Sequence, residues 1–212
     1  MAMHIISINV GKAEHIEGHR ALTGINKRPV EGPVAVGPYG LAEDAVMDTK
    51  HHGGLDQAVY LYGQPDYDFF ARQLGRDLPI GLFGENLTVA GLESATIHIG
   101  DRLEIGEVLL EVTSPRNPCS TFAARMRDPH WVKYFFAAGR PGIYGRVLRP
   151  GGVEAGMPVT LIPFAGEPIP VTELMRDYKK PSPDRMRYLL KAPLHRDLRT
   201  QYEAALAQGS LL

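Results

Sequence analysis

A single cysteine occurs in the 212 residues. No disulfide can therefore close within the chain, and a reducing, cytoplasmic setting is the expectation. Neither sign of charge is in surplus: 23 Lys and Arg stand against 24 Asp and Glu, for a formal net charge of -1. That balance gives no electrostatic footprint for non-specific nucleic-acid binding, and it leaves open a local basic patch for an anionic ligand. No run of about 18 apolar residues occurs, so no membrane span or membrane partner is indicated. The opening MAMHIISINV lacks a basic segment followed by a long apolar one, and it reads as a first strand rather than a signal peptide. Walker, Gly-x-Gly-x-x-Gly and Gly-x-Ser-x-Gly patterns are missing, as is zinc-type His and Cys spacing.

Glycine and proline are plentiful, at 23 and 17. They divide the chain up to Pro163 into short runs rich in Val, Ile, Thr and Tyr: 4–10, 33–36, 58–62, 87–89, 96–100, 107–114, 143–149 and 158–163. Gly100-Asp101 and Gly151-Gly152 read as turns. The expected fold is mainly β, a barrel or sandwich with a few helices. Two helices are predicted inside it. One covers 64–76, with Asp66 as cap and Tyr67, Phe70 and Leu74 on one face. The other covers 128–140, between Asp128-Pro129 and Gly139. After a linker at 164–169 the rhythm becomes helical, with three short helices, one of them opened by Ser182. The expected division is 1–163 for the β-rich domain and 164–212 for a small three-helix domain.

Three segments carry groups suited to chemistry. In Lys50-His51-His52-Gly53-Gly54-Leu55-Asp56 the glycines permit positive φ and close backbone approach, so the loop suits a bulky ligand. It reads equally as a polar turn. Phe83-Gly84-Glu85-Asn86 offers a carboxylate and an amide at a loop tip, or simple turn chemistry. In Ser114-Pro115-Arg116-Asn117-Pro118-Cys119 a strand exits into a proline-stiffened loop that holds a guanidinium near a thiol. Such a neighbour favours the metal-binding thiolate. The alternative is a small buried hydrophobe. Lys12, Lys27, Arg28, Arg116 and Arg146 each stand in or beside Gly/Pro-rich stretches and are candidates for binding an anionic group.

Together these segments resemble the MOSC family, named for the C-terminal domain of molybdenum cofactor sulfurase, and its YiiM-type branch in particular. The pieces in order are TGINKRPVEGPV at 23–34, EDAVMDTKHHGGLDQAVYLY at 43–62, GLFGENLTVAGL at 81–92, IGDRLEIGEVLLEVTSPRNPC at 99–119 and GRPGIYGRVLRPGGVEAG at 139–156. Two departures are Glu43, where the family usually has Gly before Asp, and Met157, where it usually has Asp after Gly.

The resemblance implies a MOSC-type β-barrel holding the molybdenum cofactor (molybdopterin), followed by a three-helix segment. Cys119 would be the metal ligand and catalytic residue, completing sulfur ligation beside the pterin dithiolene. His52, Gly53 and Gly54 match the His-Gly-Gly loop, Phe83, Gly84, Glu85 and Asn86 the Phe-Gly-Glu-Asn run, Asp44 and Asp48 two acidic positions, and Arg116 the arginine before the cysteine. His51 and Asp56 belong to the same loop as His52. The implied activity is reduction of N-hydroxylated bases or related N-oxygenated small molecules. The chain shows no flavin, haem or nicotinamide motif, so electrons are expected from a separate reductase. Two other readings are a cofactor or sulfur carrier using a Cys119 persulfide, and a hydrolase using Cys119, His51 or His52, and Asn86.

Overall fold

The computed structural model describes residues 2–47, 53–177 and 181–209. Eight strands form the larger sheet: β1 (His4–Gly11), β2 (Lys27–Val30), β5 (Val59–Gly63), β6 (Leu87–Ala90), β7 (Arg102–Ile105), β8 (Val108–Ser114), β9 (Ile143–Arg149) and β11 (Thr160–Ile162). Their spatial order is β11-β7-β8-β9-β5-β6-β1-β2. The β5–β6 pair is parallel and the other pairs are antiparallel. A smaller sheet joins β10 (Gly151–Val153), β3 (Val34–Gly37) and β4 (Gly40–Leu41).

The expectation of a β-rich fold is met, but the barrel is corrected: among the described residues the ladder ends at β11 and β2 without closing. β2 is four residues long and carries Pro29, which cannot donate to a further strand. A short contact substitutes for closure, with Ile5 N donating to Met157 O at 2.9 Å and Val159 N to Met3 O at 3.0 Å.

β5 divides the interior. Its period-2 alternation sends Val59 and Leu61 into an aliphatic core with Ile5, Ile8, Leu87, Val89, Leu103, Leu110 and Ile143. The intervening Tyr60 and Tyr62 join an aromatic core with Phe70, Phe83, Phe122, Trp131 and Phe135. The first two helices of that aromatic side are α1 (Gln64–Leu74) and α2 (Ser120–Met126), followed by α3 (Trp131–Ala138). Three helices follow the sheets: α4 (Val171–Asp177), α5 (Pro183–Leu189) and α6 (Arg196–Gly209). Their Val171, Leu174, Leu189, Leu198 and Tyr202, with Leu194 between α5 and α6, belong to the same apolar cluster as the strands.

Several local expectations change. Residues 96–100 are not a strand: Ser94–Thr96 is a 3-10 turn, and the Asp101 carboxylate accepts His98 N at 2.8 Å, bending the chain. Gly151 and Gly152 sit in β10 rather than a turn; a Cβ on Gly151 would stand 3.0 Å from Glu107 Cβ, so glycine serves close approach there. The α1 cap is Gly63, and Asp66 is instead fully buried, accepting from Ser94 Oγ at 2.6 Å and pairing with Arg140 at 2.7 Å. No helix among the described residues is long and apolar enough to cross a membrane.

Candidate functional site

Above the aromatic core lies a cavity of about 390 Å³. β5 presents Tyr60 to it, and the antiparallel register of β9 sets Tyr144 directly opposite, with ring centroids 4.8 Å apart. The Gly84 turn enters from β6; at φ 76° a Cβ there would lie 3.1 Å from Ile25 Cγ1 and 3.4 Å from Arg116 Nη1. Asn86 is a strut: its Oδ1 accepts Tyr60 N at 3.1 Å and its Nδ2 donates to Asp44 Oδ2 at 2.8 Å. The other Asp44 oxygen accepts Gly11 N at 2.7 Å and bonds Lys27 Nζ. One carboxylate thus joins β1, β2 and the Gly84–Asn86 turn.

Strand alternation decides between the neighbouring cations. Lys27 turns inward on β2, 8% exposed and paired with Asp44, while Arg28 turns outward, 60% exposed and paired with Glu14 at 2.9 Å. Burial lowers the Lys27 pKa below the ordinary lysine value, opposed by the Asp44 carboxylate.

Beyond β8 the chain carries Arg116, buried yet lining the cavity. Its guanidinium lies over the rings of Phe122 at 4.4 Å and Tyr60 at 5.0 Å. Burial works against its charge, but Tyr144, Tyr60, Cys119 and Glu85 favour it, and the pKa lies above the ordinary value. Its Nε is buried with no hydrogen-bond partner among the described residues. Cys119 follows on the cavity wall, half-buried, in extended backbone at the residue that opens α2. Among the described residues no three His, Cys, Asp or Glu side chains come together as a metal-ligand cluster.

Known proteins share this arrangement of chain. A family model described as the MOSC domain matches residues 48–160. The Bacillus subtilis (strain 168) protein YflK is 36% identical over 160 residues, covering 74% of this chain and 72% of that protein. The chain belongs to the MOSC domain family. The crystal structure of YiiM from Geobacillus stearothermophilus superposes with a TM-score of 0.79 at 31% identity, covering 96% of this chain and 99% of that one. A Gibberella moniliformis (strain M3125 / FGSC 7600) protein named Reductase is 33% identical over 149 residues, which is 68% of this chain but 26% of that protein. MOSC domains are associated with molybdenum-cofactor binding.

The described candidate site residues divide into two groups. Gly53, Gly84, Asn86, Arg116, Cys119, Lys27 and Asp44 line the cavity. The three motif segments therefore meet at one place. The others do not line it. Phe83 is a fully buried ring in the aromatic core, stacked on Tyr62 at 4.3 Å. Glu85 is fully buried behind the turn, where one oxygen accepts Tyr67 OH at 2.6 Å, Thr88 Oγ1 at 2.7 Å and Gly81 N at 2.9 Å. Burial raises its pKa, opposed by the Tyr67 and Thr88 hydrogen bonds. Gly54 lies outside the cavity wall, and Asp56 and Arg146 are turned toward the start of α6. Lys12 is exposed beyond β1, and Arg28 points outward. His51 and His52, with Asp48 and Lys50, lie outside the described residues.

The sequence reading missed Tyr60, Tyr144, Gln57 and Thr121 as cavity residues. A signal existed for the first: in AVYLY the two tyrosines alternate with apolar residues, so they share the face opposite Val59 and Leu61.

Proposed function

We propose that the cavity holds a molybdenum cofactor and that the protein reduces N-hydroxylated bases or related N-oxygenated small molecules. The observation that supports this reading most is the meeting of Cys119, Arg116 and the Lys27–Asp44–Asn86 group around one cavity within the range of about 300–1,000 Å³ usual for small-molecule sites. The donor set fits an anionic, sulfur-ligated group. A soft thiolate suits a metal already bound by sulfur, and a buried guanidinium with an unengaged Nε suits an acceptor-rich ligand. Gly84 fits as well, since at φ 76° a Cβ there would be strained and would press on Ile25 beside Arg116.

Cys119 would supply the protein's sulfur ligand, and Arg116 would hold its thiolate form and the ligand's acceptors. Lys27 and Asp44 form a buried ion pair at the wall, close to neutral as a unit. Tyr60 and Tyr144 would flank a planar ring. The cofactor, when bound, supplies two-electron oxygen-atom chemistry. The overall change is R–NH–OH plus two electrons and two protons to R–NH₂ and water. The electrons would come from a separate reductase. Asn86 is engaged on both ends of its amide, to Tyr60 N and Asp44. It is therefore not placed to orient a histidine in a cysteine hydrolase.

The test is protein produced in a host that makes the cofactor, assayed for molybdenum and for turnover of an N-hydroxylated purine with an artificial reductant. Molybdenum with turnover is the expected result. Bound cofactor or persulfide without turnover on any N-oxygenated compound would favour the carrier reading instead.

A further inference from the structure

Leu55–Gln57 is a single 3-10 turn between two glycines at positive φ, Gly53 and Gly54, and strand β5. Gly53, Gln57 and Ala58 line the cavity, while Asp56 between them does not. Asp56 is 5% exposed and engaged on every side. Its Oδ2 accepts the Arg196 amide at 2.7 Å, 140 residues away in sequence. Its Oδ1 lies 3.3 Å from Arg146 Nε, and its backbone carbonyl accepts the Thr113 hydroxyl. The partners are themselves tied to the same place. Arg146 donates to the carbonyls of Pro193 at 3.1 Å and Leu194 at 3.0 Å, and His195 N donates to Thr113 O at 3.1 Å. The segment that opens α6 is therefore hydrogen-bonded to the turn directly and through Thr113, and is linked to it again by the Arg146–Asp56 ion pair. Glu111 lies 3.7 Å from Arg146 as well, so the guanidinium has a second counter-charge. What Asp56 alone takes up is the Arg196 N–H.

We propose that the start of α6 is a positioning element for the cavity: the Arg196 amide and Arg146 hold Asp56, and Asp56 fixes the wall formed by residues 53–58. The C-terminal helices then set the shape of the candidate site without touching it. Asp56 and Arg146 act as positioning residues, through Gly53 and Gln57, rather than as ligand contacts. The consequence for the cofactor rests on the reading given under Proposed function; the consequence for the wall does not.

Arg196→Pro removes the one N–H at the first residue of a helix, where proline is tolerated. Arg196→Ala removes the same exposed side chain and keeps the N–H. Both are made in the full chain and compared with wild type by amide hydrogen exchange and by molybdenum retained through gel filtration. Losing a charge-assisted hydrogen bond should speed exchange at 53–58 by roughly tenfold or more in Arg196→Pro. Exchange in β1 and β8 should stay unchanged, and Arg196→Ala should match wild type throughout. Molybdenum retention should fall in the proline variant alone. Unchanged exchange at 53–58 in Arg196→Pro overturns the positioning role. So does faster exchange there with undiminished molybdenum. A wild-type protein that holds no molybdenum overturns the cofactor reading, and the exchange comparison then decides the wall's dependence on α6 by itself. Should Arg196→Pro fail to fold, Asp56→Asn keeps the acceptor and drops the charge. It is expected to loosen the same residues, and it overturns the proposal if it does not.

Discussion

Glu43 adopts φ 63°, a left-handed conformation that costs a residue with a Cβ about 1–2 kcal/mol. It stands immediately before Asp44, which ties Gly11, Lys27 and Asn86 together at the cavity. Glu43→Gly is expected to raise stability, by about 0.5–1 kcal/mol after the larger unfolded-state entropy of glycine is subtracted. Urea denaturation checks it, and a lowered midpoint would contradict the strain argument. His195 offers a test in pH. Burial lowers its pKa below 6.5, Asp56 and Asp197 oppose that, and Arg146 and Arg196 reinforce it. The unfolded chain therefore binds this proton more readily than the folded one. Stability is fully present above the unfolded value of 6.5 and falls as pH drops from there toward the folded pKa. His195→Asn keeps an acceptor for Asp197 N, which His195 Nδ1 now serves at 3.2 Å, and removes the titration. Its melting temperature should fall less than wild type's between pH 7 and 5; identical pH profiles would count against it.

Among the elements, the turn from Gly81 to Asn86 carries the most for the site. Gly84 at φ 76° admits no Cβ without crowding Ile25 and Arg116. Gly84→Ala is expected to cost about 1–2 kcal/mol in backbone strain alone. It should also weaken cofactor retention, measured as molybdenum per chain, more than Glu43→Gly does; equal retention would place the ligand away from this turn. Strand positions were largely readable, because β1, β5, β8 and β9 are β-branched or aromatic runs bounded by Gly and Pro. β2 was not, since Pro29 sits inside it and its apolar pattern is weak. The alternation that sends Lys27 inward and Arg28 outward was therefore hidden. α2 was missed because its seven residues give little periodicity and, unlike Ser182 before α5, Cys119 supplies no side-chain cap. The convergence of the three motif segments was expected because each interrupts a strand with Gly or Pro and polar groups. The assignment of Phe83, Glu85, Asp56 and Arg146 away from the cavity depends on long-range pairing that no local pattern encodes.

At the scale of the whole molecule, an aromatic core supports the site from below. Phe83 stacks on Tyr62 at 4.3 Å and meets Tyr67 edge-on at 4.8 Å, with no exposed surface. Phe83→Ala is expected to cost about 3–5 kcal/mol by chemical denaturation. A cost under about 1 kcal/mol would point back to a ligand-binding ring. The central claim concerns Cys119, at the wall of the same cavity as Arg116. Cys119→Ser conserves size but exchanges a soft thiolate for a hard, mostly protonated hydroxyl. Melting temperature, molybdenum content and turnover of an N-hydroxylated purine, measured together on this variant and on wild type, test the claim directly. The expected result is a nearly unchanged melting temperature, part of the molybdenum retained and turnover abolished; full turnover at normal molybdenum content would contradict it.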